Sequence, residues 1–409
     1  MKRFALFILI CSVCFLGGVY AADFGAILKG EYEAEGADDT INSGTVTFSP
    51  WLSVPFGQSE FYVSAGVRMK ISAGGDSTET IFAPELNRLD FSTRVLRSNN
   101  PPSEMLFFRI GRFVWQDSSG FIAKGRFDGA ELLYNFGSIR LGVSALYTGF
   151  LYKDTADINI SPADTKDYSA AFDWADFSGT YFAPRRLMAS LYGEFPGFPS
   201  GRGQLYAGLM AQFDFSDADE AYHTQYLMLR HVLTYKTFDL EASGAAELTN
   251  TEADGIKPAF AFSLEGGWKT PAPITDRLSL GLSWASGDGS ATAAFFPVTK
   301  EARSFVLQPG LSGMMIIKAN YEAKILRSLS AELGGRYFIR NDSTSFTALH
   351  LDKDSYPLGL ELDAGLHWAP FTDLMFSLNG GVFLPKTGTA WADDAPLLWR
   401  INAGLVFSF

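Results

Sequence analysis

Leu397-Leu-Trp-Arg-Ile-Asn-Ala-Gly-Leu-Val-Phe-Ser-Phe409 closes a chain of 409 residues. Trp399, Ile401, Ala403, Leu405, Phe407 and Phe409 share one parity, while Arg400, Asn402, Gly404 and Ser408 share the other with Val406. Successive side chains of a strand point to opposite faces, so this segment reads as a strand with one greasy and one mostly wet side. A soluble sandwich would turn the greasy side into a core. The other end of the chain points to a different apolar phase.

Met1-Lys-Arg-Phe-Ala-Leu-Phe-Ile-Leu-Ile10 places two positive charges before an apolar run, and Val19-Tyr20-Ala21 supplies the small residues of a cleavage site. We therefore expect an export leader over residues 1–21 and a single β-barrel domain over 22–409. Beyond the leader, no apolar run approaches the roughly 20 residues of a membrane-spanning helix. Both cysteines, Cys11 and Cys14, lie inside the leader. Neither follows the small residue that a lipid-modified cysteine needs. Without thiols the exported chain has no disulfide framework and no thiolate metal site, and no cofactor is expected.

Aromatic residues make up 15% of the chain, glycines number 40, and the mean hydropathy is only +0.06. Such values suit a membrane β-barrel, whose strands are each only half apolar. Loss of Lys2 and Arg3 with the leader takes the net charge from −12 to −14. That balance gives no basis for a nucleic-acid partner.

Segments with period-two alternation recur along the whole chain. The clearest are Phe61 to Ile71, Phe238 to Leu248, Phe260 to Trp268, Leu278 to Trp284, Met315 to Ile325, Leu329 to Ile339 and Leu358 to Trp368. Weaker ones fall near 25–34, 45–54, 86–96, 104–113, 129–136, 138–148, 185–195, 204–213, 223–234 and 373–383. With the terminal strand this predicts an all-β transmembrane antiparallel up-and-down barrel of about eighteen strands, sixteen being the alternative. Short links such as Phe136-Gly-Ser138 and Tyr235-Lys-Thr237 alternate with long polar stretches at 72–85, 114–128, 149–184, 286–312 and 340–357. Both termini then belong on the periplasmic side, and the long stretches on the outside. Segment 149–184 holds Tyr152, Tyr168, Phe172, Trp174, Phe177, Tyr181 and Phe182, too many rings for a merely solvated loop. It either folds inward and constricts the lumen or packs on the rim.

Lumen-facing candidates follow from the alternation. Arg68, Lys70, Arg88, Arg94, Arg109 and Arg140 form an early basic arc, with Lys318 and Arg336 later; Glu241, Glu265 and Glu361 are acidic candidates. Two readings fit these charges. Opposed arcs would set up a transverse field across the lumen, whereas cross-strand salt bridges would simply tile the inner wall.

Between Phe108 and Ala130, Gly111-Arg112 is followed by Asp117, Gly120 and then Gly125-Arg126-Phe127-Asp128-Gly129. This pattern resembles the alginate-export type of outer-membrane barrel. The resemblance implies a large monomeric barrel with a charged lumen, in which Arg112, Arg126 and Asp128 lie near the pore or organise the loop between their strands. It covers about a twentieth of the chain. Phe113 stands where that family often has glutamine.

Together these features predict an outer-membrane channel of a diderm bacterium for small hydrophilic or charged solutes. The expected partners are membrane lipid, lipopolysaccharide or its equivalent, and the barrel-assembly machinery, which would read Trp399, Phe407 and Phe409 as an insertion signal. A fatty-acid-type transporter and a structural or adhesive barrel are the alternatives. No Gly-x-Ser-x-Gly elbow or His-Glu-x-x-His motif points to an enzyme.

Overall fold

In the computed structural model, residues 22–37, 40–74, 77–96, 105–160, 164, 168, 170–198, 201–215, 221–251, 255–271, 274–289, 291–341 and 356–409 are described. The expected leader lies outside them. The first nine strands are β1 (Asp23–Gly36), β2 (Thr40–Phe56), β3 (Ser59–Gly74), β4 (Ser77–Leu96), β5 (Met105–Gln116), β6 (Lys124–Phe136), β7 (Ile139–Tyr147), β8 (Arg186–Pro196) and β9 (Gly203–Asp214). They continue as β10 (His223–Tyr235), β11 (Phe238–Thr251), β12 (Gly255–Lys269), β13 (Thr275–Ala285), β14 (Met314–Leu326), β15 (Leu329–Arg340), β16 (Pro357–Phe371), β17 (Leu374–Pro385) and β18 (Leu398–Ser408). Each strand pairs antiparallel with its sequence neighbours, and β1 also pairs β18, so the sheet closes as an 18-stranded barrel. Every alternating segment of the sequence falls in one of these strands, in order.

Closure runs from Ile27↔Ser408 to Gly36↔Trp399. The last residue extends it, because Phe409 N donates to Ala26 O (3.0 Å) and Ala26 N donates to Phe409 O (2.7 Å). Phe409 also stacks on Phe407 at 5.4 Å. At one end of the barrel, tight turns join the strands, with Gly57 (φ 64°), Gly137 (φ 58°) and Lys236 (φ 55°) in the left-handed conformation that such turns require. Long segments crowd the other end.

Alternation sorts the side chains as expected on β3, where Val67, Met69 and Ile71 are exposed on the outer face and Arg68 and Lys70 face the lumen. No helix among the described residues is long and apolar enough to cross a membrane.

The β5–β6 hairpin departs from the wall. Gly111 and Gly129 face each other across it, and Gly111 has φ 122°. A Cβ on Gly111 would fall on the carbonyl oxygen of Leu89, and one on Gly129 on that of Ala145. Glycine therefore permits the close backbone crossing at which the hairpin bends inward. Residues 114–128, expected as an outer loop, are instead mostly strand, and only 117–123 form the tip. Asp117 organises that tip. Its carboxylate accepts from the backbone N–H groups of Ser119 (2.8 Å), Gly120 (2.9 Å), Ile122 (3.0 Å) and Ala123 (2.8 Å).

Two further segments join the tip inside the barrel, and all three meet at Thr299. Thr299 N donates to Ile122 O (3.1 Å), its hydroxyl accepts from Lys124 N (3.0 Å), and its backbone bridges to Ile158. Asn159 N donates to Val298 O at 2.9 Å beside it. Among its described residues, segment 149–184 carries two short helices, α1 (Lys153–Ala156) and α2 (Phe177–Thr180). It is tied to the wall by Arg186, which is buried and ion-paired with both Asp164 and Asp214.

Phe113, Trp115, Phe121, Ile122 and Phe127 of the hairpin pack with Leu151, Ile158, Phe295, Val298 and Leu311 against the inner wall. That wall is apolar too: Met188, Met210, Tyr226, Met228, Ala245, Ala259, Ala261 and Ala285 all face inward. The charged residues expected in the lumen therefore make up only part of the inner wall. Where β8–β13 meet the inserted segments, these apolar lumen-facing residues form a core with them, because a plug that is to exclude water must meet apolar surface.

Candidate functional site: an off-centre eyelet

What the plug leaves open is a polar slot on the opposite side. A cavity of about 490 Å³ is lined by Lys29 and Glu31 of β1, Thr47 and Ser49 of β2, Ser64 and Arg68 of β3, Glu85 and Asn87 of β4, Arg126 of β6, and Asp154, Thr155 and Asp157 of segment 149–184. It is polar and wide enough for many waters. One side of the slot is the wall. The other is the outer face of the inward-bent hairpin, which turns Arg126 towards β4.

Hydrogen bonds fix the rim. Arg126 Nη1 lies 2.6 Å from Glu85 Oε1 and donates to Asn87 Oδ1 at 2.7 Å. Thr155 Oγ1 donates to the same Glu85 oxygen at 2.7 Å, and Asn87 Nδ2 donates to Ser49 Oγ at 2.9 Å. Lys29 pairs with Glu31 at 2.7 Å. Among the described residues, no carboxylate lies within ion-pair distance of Arg68 or Lys70. These two face Tyr152 and Asp154 across a void of about 30 Å³. Partial burial raises the Asp157 carboxyl above the ordinary range, with Arg126, Lys300 and Arg68 pulling against it. Burial and the neighbouring Asp154 likewise raise the Tyr152 hydroxyl, so it remains neutral and donates to Asp154.

The motif residues take distinct places around this rim. Arg112 holds Asp128 with two bonds, Nε to Oδ1 (2.8 Å) and Nη2 to Oδ2 (2.7 Å). It donates further to Leu86 O (2.9 Å) and Phe150 O (2.8 Å). One planar guanidinium thus joins the hairpin, β4 and segment 149–184. Phe127 is fully buried in the plug, and Gly111 and Gly129 form the bend.

Most of the other lumenal charges pair locally. Arg88 binds Asp90 and lies over the Tyr62 ring (4.1 Å). Arg109 approaches Glu131 at 3.5 Å, and Arg140 meets Glu194 at 3.1 Å. Glu241 pairs with Arg230 at 2.9 Å, while Glu265 receives Arg277 (3.0 Å) and Lys318 (2.6 Å). Arg336 binds Asp363. Glu361 is fully buried and accepts from the N–H groups of Phe305 (2.7 Å), Val306 (3.0 Å) and Leu307 (2.9 Å), anchoring segment 286–313. Arg94 stays exposed near the short-turn end. Among the described residues, the geometry brings most of these charges together as wall-tiling pairs, and leaves Arg68 open to the slot with Lys70 beside it on the small void.

Several rim and plug residues escaped the sequence reading: Lys29, Glu85, Thr155 and Thr299. Asp117-Ser-Ser-Gly120 is a turn signature that marks the hairpin tip. For Thr299 no local pattern exists.

No family model matches the chain, and no curated protein matches it in sequence. Its fold is nevertheless shared with solved structures from Pseudomonas aeruginosa. OccK5 (OpdH) aligns with a TM-score of 0.60 at 9% identity, covering 95% of this chain and 98% of that one. The outer membrane protein OpdK aligns at 0.59 with 12% identity, covering 95% and 99%. OccK2 (OpdF) in complex with glucuronate aligns at 0.57 with 13% identity, covering 95% and 98%. The chain therefore has the closed barrel architecture of these proteins.

Proposed function

We propose that this protein is an outer-membrane channel that lets small hydrophilic or charged solutes diffuse through the eyelet. The observation that carries this reading is the polar slot beside the plug, with Arg68 and Lys70 free to meet a passing anion. The apolar outer face supports embedding in a bilayer, and the neighbours described as an outer membrane protein and as a glucuronate complex support the channel. In this reading residues 1–21 are removed on export and both termini face the periplasm. Lipopolysaccharide then meets the long segments, and the assembly machinery reads Trp399, Phe407 and Phe409. The alginate-export resemblance enters for the hairpin alone: Gly111, Arg112, Arg126, Phe127, Asp128 and Gly129 build the inner rim. No catalytic step is proposed.

Single-channel recording of the protein in planar lipid tests this. Discrete conductance steps are expected, and a silent bilayer at high protein concentration would overturn it. Uptake of sugar acids against neutral sugars into vesicles then ranks the solutes.

A further inference from the structure

Where the hairpin turns inward, the wall loses a strand. The β4–β5 ladder runs from Leu89 to Leu96, yet β4 begins at Ser77, so its upper half pairs with β3 alone. Inside a closed barrel this half of β4 is an edge. Pro84 marks it, since proline has no N–H to give and is tolerated where no neighbour asks for one. On that edge the carbonyls of Phe82, Pro84 and Leu86 accept from side chains instead of a strand: Trp174 Nε1 (2.9 Å), Tyr181 Oη (2.8 Å) and Arg112 Nη1 (2.9 Å).

Rings fill the break. Tyr181 stacks on Phe177 (4.5 Å) and on Tyr152 (4.9 Å), and Phe172 and Phe182 pack edge-on against it. Outward, Trp174 and Phe150 are 57% and 61% exposed. Trp174 lies beside a lipid-facing stretch, because Phe82, whose carbonyl it caps, is exposed and pairs with exposed Met69. Inward, Tyr152 and Ala83 share their small void with Arg68, Lys70 and Asp154. A partition of aromatic side chains thus separates the unpaired cations of the eyelet from the apolar belt.

We propose that this partition is a side portal, through which an amphiphile with an anionic head and an apolar tail passes between the lumen and the lipid. The proposal rests on the channel reading and adds a substrate class and a route. Arg68 and Lys70 hold the head while the tail lies among the rings. Opening the portal breaks side-chain bonds at the β4 edge and leaves every strand ladder intact, which places it among low-cost local openings.

Octanesulfonate and isethionate are the probes, both permanently charged and so unable to cross lipid unaided. Phe82→Cys and Trp174→Cys, on the outer side of the partition, are joined by a short bis-maleimide after the barrel has folded; Cys11 and Cys14, in the expected leader, are the only native thiols. The link should cut octanesulfonate influx into vesicles about tenfold while isethionate influx and conductance hold. Conversely, Trp174→Phe with Tyr181→Phe removes two caps but keeps the rings, and should raise octanesulfonate influx alone. Octanesulfonate influx indifferent to both changes overturns the portal. So does a barrel that passes isethionate and never octanesulfonate, and there the channel reading survives. A barrel that passes neither overturns both.

Discussion

The two sides of the lumen are built from the same alternating strands and end in opposite states. On β8–β13 the inward residues that meet the plug are methionines, alanines and Tyr226, and the plug packs against them. On β1–β4 they are Lys29, Glu31, Thr47, Ser49, Ser64 and Arg68, and the slot stays open. The difference lies in the inward set of side chains: apolar surface recruits the inserted segments and excludes water, while hydroxyls and charges retain it.

The largest disturbance to this division is expected from the dry side. Phe295 is fully buried between the hairpin tip and the wall, and Phe295→Ala should cost about 4 kcal/mol in unfolding from lipid vesicles. Because the cavity admits water to the sealed half, conductance should also rise; an unchanged conductance would show that the plug is not held by this contact. Next, Arg112→Met leaves Asp128 without its partner and should cost about 3 kcal/mol, the exposure of Asp128 holding it to the low end for a broken buried pair. Arg112→Met with Asp128→Leu should recover part of that loss, and a double variant no better than the single one would rule out charge as the cause. Gly111→Ala forces a side chain onto the Leu89 carbonyl at positive φ and should cost about 2 kcal/mol. A thermal scan that leaves it equal to the parent would mean that the bend needs no glycine.

On the wet side the effects are on selectivity. Arg68→Gln with Lys70→Gln should lower the anion-to-cation permeability ratio about fivefold, the scale of about 1 kcal/mol for a charge met at close range in water. Arg140→Gln, which loses a cation already paired with Glu194, should shift the reversal potential far less. Equal shifts would erase the distinction between open and paired cations. The smallest effect belongs to Asp157. Its raised carboxyl takes up a proton at a higher pH than an ordinary carboxylate, so the eyelet loses a negative charge as pH falls through that point, and anion preference should rise. Asp157→Asn should remove that step from the pH profile, and its persistence would assign the titration to another group.

Much of the barrel was legible along the chain, and much of the eyelet was not. The alternation that ends at Phe409 marks all eighteen strands, and the last residue does close on Ala26. The glycine and arginine residues between Gly111 and Gly129 were also visible, but as a pattern without a direction. Charge reading alone gave Arg88, Arg109 and Arg140 the same standing as Arg68, since a carboxylate on the neighbouring strand is invisible until register is known.

Strand number and outward-facing parity are therefore set by the sequence itself, because a period of two is a local property that each segment carries alone. Which half of the lumen is sealed, which cations remain open, and that β4 becomes an edge inside a closed barrel were decided only in three dimensions. Those outcomes depend on contacts such as Lys124 with Thr299, 175 positions apart. No local period encodes a meeting at that separation; it exists because apolar surfaces on distant segments find one another once the wall has formed.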